Sequence, residues 1–195
     1  MKKIFILVGH PDNDSEGARF GESYAKGARE AGNEVRMTKL GDLKFDPILH
    51  KGYKEIQALE PDLVKVQADI TWCEHFVLIY PVWWAGMPAI LKGFIDRVWL
   101  PGFAYRFHKE GLFKDYFWTR LMKGRSARVI VTMDNFPFIS RFLFGDITNE
   151  IHFGVLRFSG FSPIRVLKIG GMKFMTPERR TKWEKTLTQL GRRGG

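Results

Sequence analysis

The sequence predicts a doubly wound α/β fold, in which helices cover both faces of a five-stranded parallel sheet. Five short runs of β-branched and aliphatic residues recur along the chain, and segments of helical character separate them. The runs Lys3–Gly9 and His75–Tyr80 are almost continuously apolar, which is typical of strands buried on both faces of a parallel sheet. For five strands that alternate with helices, we expect the strand order 2-1-3-4-5.

The predicted elements follow one another without a linker, repeat or low-complexity segment, so we expect residues 1–195 to form one domain. Ser15 can cap the first helix, Gly32 can end it, and Pro88 stands at the favoured first turn of the third helix. The predicted strands are Lys3–Gly9, Glu34–Leu40, His75–Tyr80, Arg128–Met133 and Pro163–Ile169, and the predicted helices are Ser15–Gly32, Pro61–Cys73, Pro88–Leu100, Phe138–Phe158 and Pro177–Gly191. Residues 101–126 form a long aromatic-rich connection, and connections of that length usually carry function.

The composition is that of a globular protein, with 45% hydrophobic and 27% charged residues. The longest apolar runs are far shorter than the roughly 20 residues that a membrane-spanning helix needs. The start, MKKIFILVGHPDND, has the lysines and the short apolar stretch of a signal peptide but no small-residue cleavage site. We therefore interpret it as the first strand and expect a cytoplasmic protein.

The charge and the metal-binding residue types favour no special class of partner. The net charge of +10 could suit nucleic acid, anionic lipid or an anionic cofactor, but no nucleic-acid motif accompanies it. A solvated basic surface, enriched over 179–193, is the expectation. Cys73 is the single cysteine, which excludes an internal disulfide and favours a structural thiol, and the five histidines show no close ligand spacing, so we expect no metal site.

Ligands of such folds bind at the carboxyl ends of the strands, which directs attention to the loops after strands one, three and four. The first loop, Gly9–Gly17, joins a buried strand to a helix, whose N–H groups and dipole can bind a phosphate. His10 and Ser15 can donate further hydrogen bonds, although an ordinary turn capped by Ser15 explains the pattern as well. The acidic residues Asp12, Asp14 and Glu16 oppose a phosphate unless they point outward or a cation such as Arg19 offsets them.

The other two loops carry a different chemistry. Tyr80–Pro88 places two tryptophans, a glycine and prolines after a buried strand, which suits the apolar faces and polar edge of a flat heteroaromatic ring. Packing of both tryptophans between helix and sheet is the alternative. Thr132–Asn135 offers small polar groups and loop backbone beside the same cleft, or else a plain turn.

Four segments together resemble one known family. They are GHPDNDSEGA in the first loop, PVWWAGMPAILKGFIDRVWLPGFAYRF from Pro81 to Phe107, RVIVTMD at the fourth strand and LRFSGFSPIRVLKIGGM from Leu156 to Met172. The chain resembles the NAD(P)H:quinone oxidoreductases, including the bacterial modulator of drug activity type and the ancillary oxidoreductase subunit of glutathione-gated potassium efflux. The long second segment is the specific one.

The resemblance implies a flavodoxin-like homodimer with a non-covalent FMN, or alternatively FAD. It implies hydride transfer from NAD(P)H to the flavin, followed by two-electron transfer to an acceptor that takes the place of the nicotinamide. The loop after strand one would hold the flavin phosphate, the loop after strand three the ring system, and the loop after strand four its polar edge. The implied cofactor-binding residues are, in that order, His10, Asn13, Ser15 and Gly17; Pro81, Val82, Trp83, Trp84 and Ala85; and Thr132, Met133 and Asp134.

A substrate pocket is implied beside the flavin, capped by the aromatic stretch Phe103–Phe107, in relatives across the dimer interface. Tyr105 would donate a hydrogen bond or proton to the acceptor, or only pack, and Phe107 and Phe138 would line the pocket. The acceptor would be a quinone or a nitro or azo aromatic compound. The alternative function is a flavin-binding ancillary subunit of a membrane transporter, with the basic surface against the membrane.

The chain departs from the family pattern at several of these positions. Glu16 stands where relatives often carry an aromatic residue, and TMDN follows strand four where the mammalian-type enzymes have a glycine pair. Phe138 and Phe144 occupy the stretch where those enzymes place a Tyr and a His. These differences, together with the lack of the long C-terminal extension, favour FMN over FAD and leave the acceptor open.

Overall fold

The computed structural model describes residues 1–108 and 116–194. Its elements are β1 (Lys3–Val8), α1 (Glu16–Glu30), β2 (Glu34–Lys39), α2 (Pro61–Trp72), β3 (His75–Pro81), α3 (Ala89–Val98), β4 (Tyr105–Phe107), β5 (Trp118–Arg120), β6 (Ser126–Thr132), α4 (Pro137–Phe144), a π-helix (Glu150–Arg157), β7 (Ile164–Ile169) and α5 (Pro177–Arg192). No helix within the described ranges is long and apolar enough to cross a membrane.

The main sheet has five parallel strands in the order β2-β1-β3-β6-β7. Counted within this sheet, the order is 2-1-3-4-5, which confirms the predicted topology. The predicted strand boundaries differ from the observed ones by one or two residues, because a strand ends where the backbone ladder ends rather than where the apolar run does.

Both faces of the sheet are buried, and β1 shows how the sequence achieves this. Successive side chains of a strand point to opposite faces. Phe5 and Leu7 join the core formed with α2 and α3, whereas Ile4 and Ile6 join the core formed with α1 and α5. A continuous apolar run is therefore required in each central strand.

α1 and α5 pack with their backbones unusually close together. A Cβ atom at Gly27 would overlap the carbonyl oxygen of Thr188, and one at Gly191 would overlap that of Tyr24. Only glycine allows this spacing at the two positions. The position of α5 against α1 is therefore set by backbone contact and by the buried Leu187.

Two features of the second half differ from the predicted elements. The connection 101–126 contains an antiparallel hairpin, β4 with β5, whose strands of three residues are too short to show a periodic pattern; residues 109–115 of the connection lie outside the described residues. The predicted helix Phe138–Phe158 is interrupted after α4 at Gly145, which has a φ of 75°.

The loop between β2 and α2 is tied to α3 by one buried arginine. The guanidinium of Arg97, 1% exposed, donates to the carbonyl oxygens of Asp46 and Ala58 and to the carboxylate of Glu60, the last at 2.8 Å. Burial opposes ionisation of Glu60, but hydrogen bonds from the backbone and from Arg97 outweigh it and lower the pKa of this carboxyl. The loop therefore depends on a side chain of another element.

Arg97→Ala should destabilise the protein strongly, because it leaves two carbonyl oxygens without this donor and the carboxylate of Glu60 without its cation. We expect a loss of about 3–5 kcal/mol in the free energy of unfolding, measured by urea denaturation. Lys92 forms an exposed ion pair with Asp96 on the same helix at 2.7 Å, and Lys92→Ala should cost less than about 1 kcal/mol. Equal losses in the two variants would contradict the structural role of Arg97.

Candidate functional site

Four strands of the main sheet end at the same edge, because their register aligns their last residues. Val8 pairs with Ile79, Pro81 with Thr132, and Thr132 with Ile169. The loops after β1, β3, β6 and β7 therefore lie side by side, where ligands of doubly wound sheets bind.

Two adjoining clefts open between these loops. The first cleft, of about 300 Å³, is lined by His10, Asp12, Ser15, Glu16, Gly17, Pro81, Val82, Trp83, Thr132, Met133, Asp134 and Met172. The second cleft, of about 460 Å³, is lined by Val82, Trp84, Ala85, Met133, Asp134, Asn135, Ser140, Phe144 and Ile147. Val82, Met133 and Asp134 line both, so one extended ligand could occupy the two clefts together.

The first cleft contains the start of α1. Ser15 is the N-cap of this helix, and its Oγ accepts the amide N–H of Ala18 at 3.3 Å. The N–H groups of Glu16 and Gly17, in the first turn, have no acceptor within the helix. These donors and the helix dipole favour an anion in the first cleft.

His10 is oriented by its own loop. Its Nδ1 lies 2.9 Å from the amide nitrogen of Asp12 and 3.1 Å from the carbonyl oxygen of the same residue. The shorter contact makes Nδ1 an acceptor, which in the neutral ring places the proton on Nε2. The ring lies edge-on to Trp83, with 5.4 Å between the ring centroids. His10 therefore offers an N–H donor to a ligand in the first cleft, which it lines.

The acidic residues of this loop are arranged differently from the expectation. Glu16 lines the first cleft, and the cation that offsets it is Arg180 of α5, at 2.6 Å, rather than the predicted Arg19, which is exposed. The carboxylate of Asp12 accepts the amide N–H of Asp14 at 3.0 Å. A cation does offset Glu16, but it is supplied by α5, which is distant in the sequence and packs against α1.

The loop after β3 contains a strained turn. Trp83 and Gly86 exchange two backbone hydrogen bonds, of 2.9 and 3.0 Å, around Trp84 and Ala85, whose φ values are 51° and 59°. Positive φ at both central residues is the signature of a type I′ turn, which normally uses Asn or Gly. Each such residue costs of order 1–3 kcal/mol, and strain of this kind is concentrated at functional sites.

The wall of the second cleft is held by Asp146. This carboxylate accepts the Oγ1–H of Thr148 at 2.6 Å and the Nζ–H of Lys168 on β7 at 2.7 Å. Burial opposes its ionisation, but these hydrogen bonds outweigh burial and hold the pKa of Asp146 well below its usual range. The neighbouring Ile147 is thereby fixed against the second cleft.

The structure brings together most of the residues that the sequence assigned to a cofactor. Of the twelve, all but Asn13 line one or both clefts; the Asn13 side chain instead donates to Asp42. The assigned pocket residues lie elsewhere in the single chain. Tyr105 lines a separate cavity, its ring 5.0 Å from that of Phe158, while Phe107 and Phe138 are exposed and line neither cleft.

Three cleft residues escaped the sequence interpretation. Met172 follows β7, and the rule that ligands bind at the strand ends would have identified this loop. Ser140 and Ile147 line the second cleft because the helix after β6 is short and turns at Gly145. No signal in the sequence marks that turn as part of a site.

Two titratable groups outside the clefts are structural. Burial raises the pKa of the Cys73 thiol to about 12, which makes it a poor nucleophile. Burial also lowers the pKa of His75 to about 3, and its ring lies between Tyr24 and Ser126 at 3.2 and 2.8 Å. Within the described residues, no group of His, Cys, Asp and Glu could hold a metal ion.

The parallel sheet order and the clefts at its carboxyl edge are those of a doubly wound, ligand-binding α/β protein. A profile described as flavodoxin-like fold matches residues 2–193, and the chain belongs to this family. The family resemblance expected from the sequence is confirmed.

Individual relatives agree with this assignment. NAD(P)H dehydrogenase (quinone) 1 of Cavia porcellus is 25% identical, over 97% of this chain and 78% of its own. The solved structure of Smu.1420 from Streptococcus mutans is 27% identical, with a TM-score of 0.79 and coverage of 97% and 98% of the two chains. An FMN-dependent NADH-azoreductase from Bacillus anthracis, 15% identical, shares the fold with a TM-score of 0.75 over 99% of both chains.

The strain at Ala85 is measurable. Ala85→Gly should raise the free energy of unfolding by up to about 1 kcal/mol, because glycine adopts positive φ without steric cost. Ala31, the C-cap of α1, has a φ of −87°, and Ala31→Gly should lose about 0.4–1 kcal/mol. Urea denaturation of the cofactor-free protein compares the two, and an equal loss in both variants would refute strain at the turn.

Proposed function

We propose that the chain is a flavin-dependent NAD(P)H oxidoreductase that passes two electrons to a quinone or a similar aromatic acceptor. One observation carries the proposal. At the carboxyl edge of the sheet, the first cleft offers hydrogen-bond donors that suit a phosphate. It adjoins the more apolar second cleft, which lies beside two loops whose backbone groups can bond a ligand. The oxidoreductases among the relatives support the same activity.

The residues present fit a flavin mononucleotide. The α1 start, Ser15 and the Nε2–H of His10 would hold the phosphate in the first cleft. The amide N–H groups of Trp84 and Ala85 are not used in the two hydrogen bonds of their turn, so they can bond the polar edge of a flat ring. FMN is the form that the fold neighbour from Bacillus anthracis uses, and FAD is the alternative.

The bound flavin would supply the redox chemistry, accepting hydride from NAD(P)H and returning two electrons to the acceptor. The protein would orient the reactants and stabilise charge. The loop Thr132–Asn135 presents backbone groups at the junction of the clefts, beside the start of α4. Nicotinamide and acceptor would take the same place beside the ring in the second cleft, one after the other, which predicts ping-pong kinetics.

The second cleft favours a planar, weakly polar acceptor. Its lining combines Val82, Trp84, Phe144 and Ile147 with a few polar groups. Quinones and nitro or azo aromatics share these properties. The relatives give no support to a transporter subunit, and we propose a cytoplasmic enzyme.

The cofactor is tested by purifying the protein, releasing any bound chromophore and identifying it by chromatography. We expect a yellow protein that contains FMN or takes it up. Anaerobic mixing with NADPH or NADH in a stopped-flow instrument should bleach the flavin absorbance, and steady-state plots for menadione should be parallel lines. A colourless protein that binds neither FMN nor FAD would refute the proposal.

We also propose that a second copy of the chain covers α4. Phe138, Phe142 and Leu143 of this helix are 72%, 88% and 58% exposed, and an apolar surface of this kind marks an interaction site. Tyr105 and Phe107, which the family resemblance assigns to the substrate pocket across a dimer, line neither cleft of their own chain. A second copy would account for both observations.

Phe142→Glu should convert a dimer to a monomer, because a carboxylate would be buried in the interface. Size-exclusion chromatography with light scattering measures the mass. Val64→Glu is the control, since Val64 is 52% exposed on α2, which packs against β1 and α3. Dimers in both variants, or a monomeric wild type, would exclude this interface.

A further inference from the structure

The first cleft holds an anionic side chain where the proposed function needs an anion to bind. Glu16 is the first residue of α1 and lines the cleft beside Ser15 and Gly17. A carboxylate at this position opposes a flavin phosphate, which carries a charge of about −2 at neutral pH, as phosphate monoesters do. The donors at the start of α1 would therefore attract the phosphate while the carboxylate of Glu16 repels it.

Arg180 neutralises this carboxylate through a two-pronged contact. Its Nε lies 2.8 and 2.9 Å from the two oxygens of Glu16, and a terminal nitrogen lies 2.6 Å from one of them. Both side chains are about 70% buried, at 30% and 27% exposure, so solvent screens the pair less than an open surface pair. The Nε–H group and one terminal N–H group of Arg180 are therefore directed at Glu16.

The pair is not needed to place α5. The glycine contacts at Gly27 and Gly191 already fix the spacing of the two helices. A second ion pair, Glu30 with Arg192 at 2.7 Å, joins the same two helices outside the lining of either cleft. Glu30 lies 14 residues after Glu16 on α1, about 21 Å along the helix axis.

We infer that Arg180 is a positioning residue that sets the affinity of the cofactor site for phosphate, by cancelling the charge of Glu16. The inference rests on the proposed flavin function. Arg180 acts on the phosphate through Glu16 and not as a direct phosphate ligand. The closing helix thereby controls a site that the loop after β1 forms.

The test compares FMN with riboflavin, which has the same ring system but no phosphate. Dissociation constants are measured on the cofactor-free protein by quenching of flavin fluorescence. Arg180→Gln should raise the dissociation constant of FMN about tenfold, through unscreened repulsion from Glu16, and change that of riboflavin less than about twofold. Glu16→Gln should lower the dissociation constant of FMN severalfold.

The double variant separates this inference from direct contact. Glu16→Gln with Arg180→Gln removes both charges, so its FMN affinity should return to within about threefold of wild type. FMN binding that stays weak in the double variant would show that Arg180 itself binds phosphate and would overturn the inference. The effect of Arg180→Gln should also shrink between 0.05 and 1 M salt, as electrostatic repulsion does.

The control variants are Arg192→Gln and Glu30→Gln, which break the matching pair on the same helices. Neither should change FMN affinity. An equal loss of FMN and riboflavin binding in Arg180→Gln, or a similar loss in Arg192→Gln, would indicate loosened packing and refute the inference. A wild-type chain that binds neither FMN nor riboflavin would instead refute the proposed function and this inference together.

Discussion

The parallel pairing of β1 with β3, and of β3 with β6, is the constraint on which the site depends. It aligns the last residues of these strands, so the loops after Val8 and Thr132, whose starts lie 124 residues apart in the sequence, meet at one edge with the loop after β3. The pairing is stabilised from both sides, because alternate residues of each strand enter two separate cores. A shift of register would expose these apolar residues and separate the loops at the same time.

Electrostatics at this edge is balanced locally rather than by the high net charge of +10. Glu16 is offset by Arg180, and Asp146 by Lys168, in both cases by a cation from the last third of the chain. Since exposed charges further than about 10 Å away are largely screened, the general basicity contributes little to a phosphate in the first cleft. The site therefore depends on a few partly buried pairs.

Where the sequence breaks a local rule, the structure places a cleft or an exposed apolar surface. Trp84 and Ala85 adopt positive φ without being glycine, and they line the second cleft. The helix α4 exposes the aromatic side chains of Phe138 and Phe142. Such conflicts between local preference and structure are expected where binding, not stability, has determined the residues.

The sequence by itself determined the strand order and both covered faces, and eleven of the twelve residues that the family resemblance assigned to a cofactor line the two clefts. The strand order and the covered faces follow from local pattern, namely apolar runs, helix caps and the loops directly after strands, whereas the individual site residues were implied by the resemblance. Only the tertiary structure decided that Arg180 and not Arg19 meets Glu16, that Asn13 turns to Asp42, and that Tyr105 lies outside both clefts. Contacts of this kind join elements distant in the sequence, and no periodicity or local propensity encodes which side chains of two packed helices face each other.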